Sequence, residues 1–170
     1  IFTTGNSKAV NDNNTITASN LEYDKINNIF KAKENAVITD FEKDTIIYAD
    51  EITYFKNNEK VLTKGNSKAV NENNTITASN FEYDKINNIF KAKGNSKAVN
   101  EKNTITSSNL EYDKINNIFN AKENAVITDF EKDTIIYADE ITYFKNEEKV
   151  FTQGNSKAVN ENNTITASNF

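Results

Sequence analysis

The chain of 170 residues has no cysteine, histidine, proline, tryptophan or methionine, no arginine among its 20 basic residues, and four glycines. Each absence closes a class of chemistry. Without cysteine there is no disulfide framework and no thiolate metal site, and composition says nothing about redox compartment. Without histidine the commonest general base and metal ligand is gone. Without arginine there is no bidentate fork for phosphate. The lysines are interspersed with acids at a net charge of −5, so no basic stripe invites nucleic acid. The glycines stand singly, which excludes a phosphate-cradling loop. No apolar run approaches the length of a membrane-spanning helix. A start without methionine, inside a repeat, marks the sequence as a piece of a longer array, so a secretory leader is neither required nor excluded.

What remains is 36% hydrophobic and 11% aromatic, with a mean hydropathy of −0.71. Isoleucine and phenylalanine recur at regular intervals, which is too apolar a pattern for a disordered tail. The hydropathy is low for a compact globule and suits an elongated body with a thin core.

Self-similarity dominates the sequence. One phrase, "GNSKAVNENNTITASNFEYDKINNIFKAK", occupies residues 65–93 and recurs at 5–33, at 94–122 and, cut short, at 154–170. A diverged version, "ENAVITDFEKDTIIYADEITYFKNNEKVLTK", fills 34–64 and returns at 123–153. The chain reads as a single array, 1–170, of units of about 30 residues. Leu21, Phe81, Leu110 and Phe170 exchange only among large apolar residues at one position, as do Leu62 and Phe151 at another, and this predicts burial at both. Asp12, Glu72, Glu101 and Glu161 vary in an asparagine-rich spot, which predicts a loop.

Within a unit the texture is β: Thr, Ile, Val, Phe and Tyr alternate over short stretches. "NENN" and "DKINN" are turn-like in their Asn and Asp content. Between the turns lie two stretches, 75–83 and 89–99, both long for strands. Each breaks its own alternation. Ile76 and Ala78 share one phase while Phe81 and Tyr83 share the other, and because side chains change face at every residue this predicts a bend near Ser79 and Asn80. In the second stretch Gly94-Asn95 interrupts the run, as a bulge would. The diverged unit has Glu34-Asn35 there, so a positive φ at the first of these positions is not expected to be obligatory, whereas Asn is constant and tolerates the left-handed region. Two all-β architectures fit: an elongated antiparallel meander of bent strands forming an open jelly roll, which the hairpin-like spacing favours, and a parallel β-solenoid in which equivalent residues such as Asn71 and Asn100 stack as ladders.

No constellation for catalysis emerges. Carboxylates come close at Glu22-Asp24, Glu82-Asp84, Glu111-Asp113, Asp40-Glu42-Asp44 and Asp50-Glu51. The Glu82-Asp84 pair recurs in every complete copy, and a preorganised site needs one constellation rather than several. Solvated strand ends are preferred over cation sites or catalysis. Ser7-Lys8 and its copies point to opposite faces of a strand, and "DFEKD" lacks the Gly and terminal Glu of a calcium loop. The Asn-Asn-Thr tripeptides at Asn13, Asn73 and Asn162 have the form of a glycosylation acceptor, but in so asparagine-rich a turn they read as chance. The expectation is a non-enzyme with no catalytic residue, metal or cofactor.

The apolar stripe is the remaining candidate. Ile16, Ile76, Ile105 and Ile165, aligned with Ile46 and Ile135 of the diverged units, mark one phase. Leu21, Phe81 and Leu110, with Ile52 and Ile141, mark the other. Phe30, Phe90 and Phe119 sit near Ala32, Ala92 and Ala121. These residues form a core between two halves of a creased sheet, or the lining of a trough that small residues (Ala18, Ala69, Ala78, Ala98, Ser107) leave incompletely filled for an acyl chain.

"FKAKGNSKAV" followed by "NTITSSNLEYD", and "IIYADEITYF" in the diverged unit, resemble the OstA-like repeat of the lipopolysaccharide-transport proteins, in which a "GN" strand is followed by a strand of the form I-x-A-D-x-L/I-x-Y. The resemblance runs over every unit. Ala49-Asp50 and Ala138-Asp139 match the family's Ala-Asp step, where the other copies carry Ala-Ser or Ser-Ser. It implies an open β-jelly roll without a catalytic site, located in the periplasm or otherwise outside the cytoplasm, that holds lipid or lipopolysaccharide in its trough and joins edge to edge with copies of itself or related proteins. The trough would be lined by Ile16, Ile46, Ile76, Ile105, Ile135, Ile165, Leu21, Phe81, Leu110, Phe30, Phe90 and Phe119. The competing expectation is a structural repeat protein, a fibre, stalk or designed array, that assembles head-to-tail through open β edges.

Overall fold

The structure, a computed structural model, describes residues 1–170. Its strands are β1 (Phe2–Val10), β2 (Asn14–Asp24), β3 (Ile29–Asp40), β4 (Thr45–Phe55), β5 (Lys60–Lys64), β6 (Ser67–Val70), β7 (Thr75–Ala78), β8 (Asn80–Asp84), β9 (Ile89–Val99), β10 (Asn103–Asp113), β11 (Ile118–Asp129), β12 (Thr134–Phe144), β13 (Lys149–Gln153), β14 (Ser156–Val159) and β15 (Thr164–Ala167). All 15 belong to one sheet. Every pairing is antiparallel. The solenoid is therefore excluded: neighbouring copies of a unit lie two strands apart, and Asn71 does not stack on Asn100. Three of the bent strands are interrupted where they fold (β5/β6, β7/β8 and β13/β14), which makes the body a meander of bent strands.

The turns form as their side chains dictate. Asp24 Oδ1 accepts from the amides of Ile26 and Asn27 at 2.9 and 3.2 Å, and Asp113 Oδ1 does the same for Ile115 and Asn116. Asn28, Asn88 and Asn117 then close the turn in the left-handed region. Asn71 Oδ1 accepts from the amides of Asn73 and Asn74. The Asn and Asp content of these loops is thus a set of side-chain-to-backbone turns, and Asp24, Asp40, Asp84 and Asp113 of the close acidic pairs are turn acceptors. Asp84 holds Asn87, while Glu82 points outward to Lys60 at 2.6 Å.

The bends lie where the phase shifts predicted. Register slips between Thr17 and Asn20, between Thr106 and Asn109, and between Lys33 and Ala36. On alternate strands the bend is made by two successive left-handed residues: Gly65-Asn66, Gly94-Asn95, Gly154-Asn155 and, in the diverged units, Glu34-Asn35 and Glu123-Asn124. The expectation that Glu escapes a positive φ is overturned, since Glu34 and Glu123 sit at 63° and 64°. The left-handed backbone is the same in both units, and at three of the glycines a neighbouring side chain also leaves no room for a Cβ. A Cβ on Gly65 would come within 2.2 Å of Asp50 Oδ2, and one on Gly154 within 2.3 Å of Asp139 Oδ2. Asn66 and Asn155 donate to those same carboxylate oxygens at 2.9 and 2.8 Å. The "GN" and "Ala-Asp" motifs are therefore the two sides of one contact across the fold line.

The bend divides the sheet into two layers. Layer I holds the half-strands 7–10, 14–18, 36–40, 45–49, 96–99, 103–107, 125–129 and 134–138 with β6, β7, β14 and β15. Layer II holds 2–4, 20–24, 29–33, 51–55, 89–93, 109–113, 118–122 and 140–144 with β5, β8 and β13. Cross-strand partners place the inward side chains of layer I in rows parallel to the crease. Next to the crease run small residues, Ala18, Ala36, Ala49, Ser67, Ser96, Ser107 and Ala125, all buried. Beyond them is an isoleucine row, Ile16, Ile38, Ile47, Ile76, Ile105 and Ile127, also buried. Layer II answers with Leu21, Ala32, Ile52, Phe81, Leu110, Ala121 and Ile141 near the crease and an aromatic row farther out. In that outer row Tyr112 stacks on Phe119 at 4.0 Å and Tyr23 on Phe30 at 4.2 Å. Side-chain size is graded along a wedge, smallest at its apex, and the two inner faces form one continuous apolar core.

Candidate interior site and its mouth

The predicted lining residues separate into three groups. Ile16, Ile76, Ile105, Leu21, Phe81, Leu110, Phe90 and Phe119 are brought together in the buried core, and Phe30 packs against it. Ile46 and Ile135 are out of phase: Ile46 pairs with Thr39 and Val70, whereas the adjacent Ile47 pairs with Ile38 and Ala69 on the inner face. Ile136 likewise packs on the core in place of Ile135. Ile165, on the edge strand β15, is 62% exposed. Burial of Leu62 and Phe151 is also corrected. The core position is the preceding Val61, and Phe151 is 55% exposed on the outer face, where it meets Phe144 edge-on.

The small residues do not leave the interior open. Ala18, Ala69, Ala98 and Ser107 are buried and Ala78 packs against the core: Ala18, Ala78 and Ser107 stand in the narrow angle beside the crease, while Ala69 and Ala98 are flanked by Ile47, Ile76 and Ile105 in the next row. Midway along the body, between Ala69, Ile76, Phe90, Tyr112 and Lys114, the cavity is about 20 Å³. Toward the C-terminal end the layers part. A cleft of about 230 Å³ opens there over Ile127, Ile136, Tyr143 and Val150, rimmed by Lys102, Asp129, Glu131, Lys132 and Glu148.

Opposite the crease, the mouth of the wedge is closed by lysines of the turns. Lys85 Nζ reaches from the turn after β8 to Asp40 Oδ2 at 2.9 Å and Asn14 Oδ1 at 3.1 Å. Its side chain is 3% exposed and that of Asp40 is 6% exposed. The same ammonium stands 5.4 Å from the Tyr54 ring centroid. One copy on, Lys114 Nζ donates to Thr45 Oγ1 at 3.2 Å and lies 5.5 Å from the ring of Tyr83. Farther along, Lys145 Nζ donates to Asn74 Oδ1 at 3.4 Å. Burial pushes both Lys114 and Lys145 below the ordinary lysine value. Each lysine meets an acceptor about two units earlier in the chain, so the layers are offset along the sheet and do not face their own strands. A signal for these residues was present. Lys85 and Lys114 follow the inward Tyr83 and Tyr112 by two positions, and Asn14 precedes the inward Ile16 by two, so all continue the inner phase into the turns.

No group of three or more Asp or Glu side chains stands within reach of a common metal. The one deeply buried ion pair joins the layers, and the other ion pairs are at least partly exposed to solvent. No helix is long and apolar enough to cross a membrane.

Comparison with known proteins places this geometry. No protein of curated function matches the chain. Among solved structures the fold is similar to LptH of Pseudomonas aeruginosa, described as the LptA-homologous periplasmic component of the lipopolysaccharide transport device. The match has a TM-score of 0.58 at 19% identity and covers 64% of this chain and 81% of that one. The family described as OstA-like protein matches residues 27–127, more than half of the sequence. By that match, the chain belongs to the OstA-like protein family.

Proposed function

We propose that this chain is a non-enzymatic, extracytoplasmic lipid-bridging module that carries an amphipathic lipid of the lipopolysaccharide class along the interior of its wedge. The observation that supports this most is the apolar interior itself. It runs the length of the sheet between two layers and gapes at one end over Ile127, Ile136, Tyr143 and Val150. An acyl chain enters at that cleft and advances by parting the two layers, its own apolar contacts replacing those the layers make with each other. Burying apolar surface drives entry, at roughly 25 cal/mol per Å². Near-identical units make successive positions close in energy. Family membership and the periplasmic role of the structurally similar LptH support the same reading. Titration of the purified chain with a fluorescent fatty-acyl probe is expected to show saturable binding, weakened about tenfold or more by Ile136→Asp, which puts a carboxylate in the apolar floor of the cleft. A folded chain that gives no saturable binding overturns the proposal.

A specific pairing favours edge-to-edge assembly as the second reading. Residues 164–170 repeat residues 75–81, and residues 5–10 repeat residues 94–99. Inside the chain these segments already pair as β7 on β9, with Thr75 opposite Val99, Ile76 opposite Ala98 and Thr77 opposite Lys97. Two copies can use the same pairing with β15 of one against β1 of the next, setting Thr166 opposite Lys8. Exposed edges with this complementarity are templates for association. In a chain without cysteine, the double variant Thr166→Cys/Lys8→Cys is expected to form disulfide-linked oligomers under oxidation, while either single variant gives at most dimers. A strictly monomeric double variant ends this reading.

A further inference from the structure

The lysines at the mouth are not equivalent in charge balance. Lys85 has Asp40 as its counter-ion. Lys114 and Lys145 are partly buried and form no ion pair with any carboxylate. Their partners, Thr45 Oγ1 and Asn74 Oδ1, are neutral. The Asp40 and Asp44 carboxylates act on Lys114 only from a distance, and burial outweighs them, so a cation partly removed from water and hydrogen-bonded to a neutral oxygen keeps part of its desolvation cost. An anion supplied from outside would relieve that cost and form a charge-assisted bond. Lys114 also borders the small apolar cavity of Ala69, Ile76, Phe90 and Tyr112, so a cationic donor stands directly above greasy surface. The two lysines leave turns two strands apart, which separates them by roughly 10 Å along the mouth.

We propose that Lys114 and Lys145 are successive binding sites for the phosphate head of an amphiphile whose tail lies in the interior. Lys85, already neutralised, serves as a fixed latch. The assignment rests on the lipid-binding reading and adds the head-group chemistry to it. The phosphate displaces the Thr45 or Asn74 oxygen, so the head stays at the mouth in contact with water while the tail remains inside. Passage from one lysine to the next moves it by one step of the array.

The test compares binding of short-chain phosphatidic acid, phosphatidylcholine of the same chain length, and inorganic phosphate to the full chain of 170 residues below micelle-forming concentrations. Phosphatidic acid is expected to bind about tenfold or more tighter than phosphatidylcholine, and Lys114→Met/Lys145→Met is expected to bring the two lipids to equal affinity. Lys25→Met, at the matching but exposed position of the first unit, leaves the preference intact. In parallel, the side-chain ¹³Cε signals of Lys114 and Lys145 in the unsubstituted protein shift on titration with phosphatidic acid, and this readout decides the matter if the double variant does not fold. Equal binding of both lipids by the unsubstituted protein, or a preference that survives the double substitution, overturns the lysine sites while leaving the lipid-bridging function standing. Inorganic phosphate binding as tightly as phosphatidic acid overturns the amphiphile as the ligand. No binding of either lipid overturns both proposals together.

Discussion

Replacing Asp40 with alanine is expected to lower the free energy of unfolding by about 3–5 kcal/mol, the usual effect of removing one partner of a buried ion pair. The Lys85 ammonium would stay enclosed with Asn14 Oδ1 as its hydrogen-bond acceptor and the Tyr54 ring beside it. A second loss accompanies it, because Asp40 Oδ1 also accepts from the amides of Glu42 and Lys43 at 3.1 and 3.0 Å and so shapes its own turn. Asp40→Asn separates the two effects, since it keeps an acceptor for the turn and removes only the charge. Asp40→Asn combined with Lys85→Met is expected to recover much of the loss, as apolar replacement of a buried pair often does. The fifth unit provides an internal control. Asp129 occupies the same place in an identical "DFEKD" segment, but its only ion pair is with Lys132 at 3.7 Å on the surface. Exposed pairs contribute about 0–1 kcal/mol, so Asp129→Ala is expected to be far milder. Chemical denaturation of the four variants checks this. Equal effects at the two aspartates would show that the layers are not joined through Lys85.

The second large effect tests the phase of the diverged unit. Ile47→Ala is expected to cost about 2–5 kcal/mol, as truncation of a fully buried isoleucine does when the site cannot collapse. Ile46→Ala, one residue away, is expected to cost about 1 kcal/mol or less. Ile47 is 2% exposed between Ile38 and Ala69, while Ile46 stands on the opposite face against Thr39 and Val70. Urea midpoints of the two variants report the difference. Similar losses at both positions would mean that β4 does not alternate as described.

These residues also show where sequence reading stops. In "NTITAS" and "NTITSS" a single isoleucine between threonines fixes the inward phase, and Ile16, Ile76 and Ile105 are buried. In "DTIIYAD" two adjacent isoleucines satisfy either phase, and alignment to the other unit chose Ile46 over Ile47. Leu62 and Phe151 misled in the same way: exchange among large apolar residues reads as burial, although an outer-face position tolerates the same set. Glu34 was judged by its own reluctance to adopt a positive φ. The bend is imposed by pairing on both flanks of the crease, which holds Glu34 in the left-handed region despite that reluctance.

Local chemistry determined the repeat, the antiparallel strands, the Asn and Asp turns and the position of each crease, because alternation and turn-forming side chains act over a few residues of chain. Only the tertiary structure decided how far one layer slides along the other. That offset carries Lys85 to Asp40, Lys114 to Thr45 and Lys145 to Asn74, across 45, 69 and 71 residues of chain. It also decided that small side chains occupy the apex of a wedge and leave no groove there. Sheet twist and the packing of one graded face against another set that offset, and neither is written in any single unit.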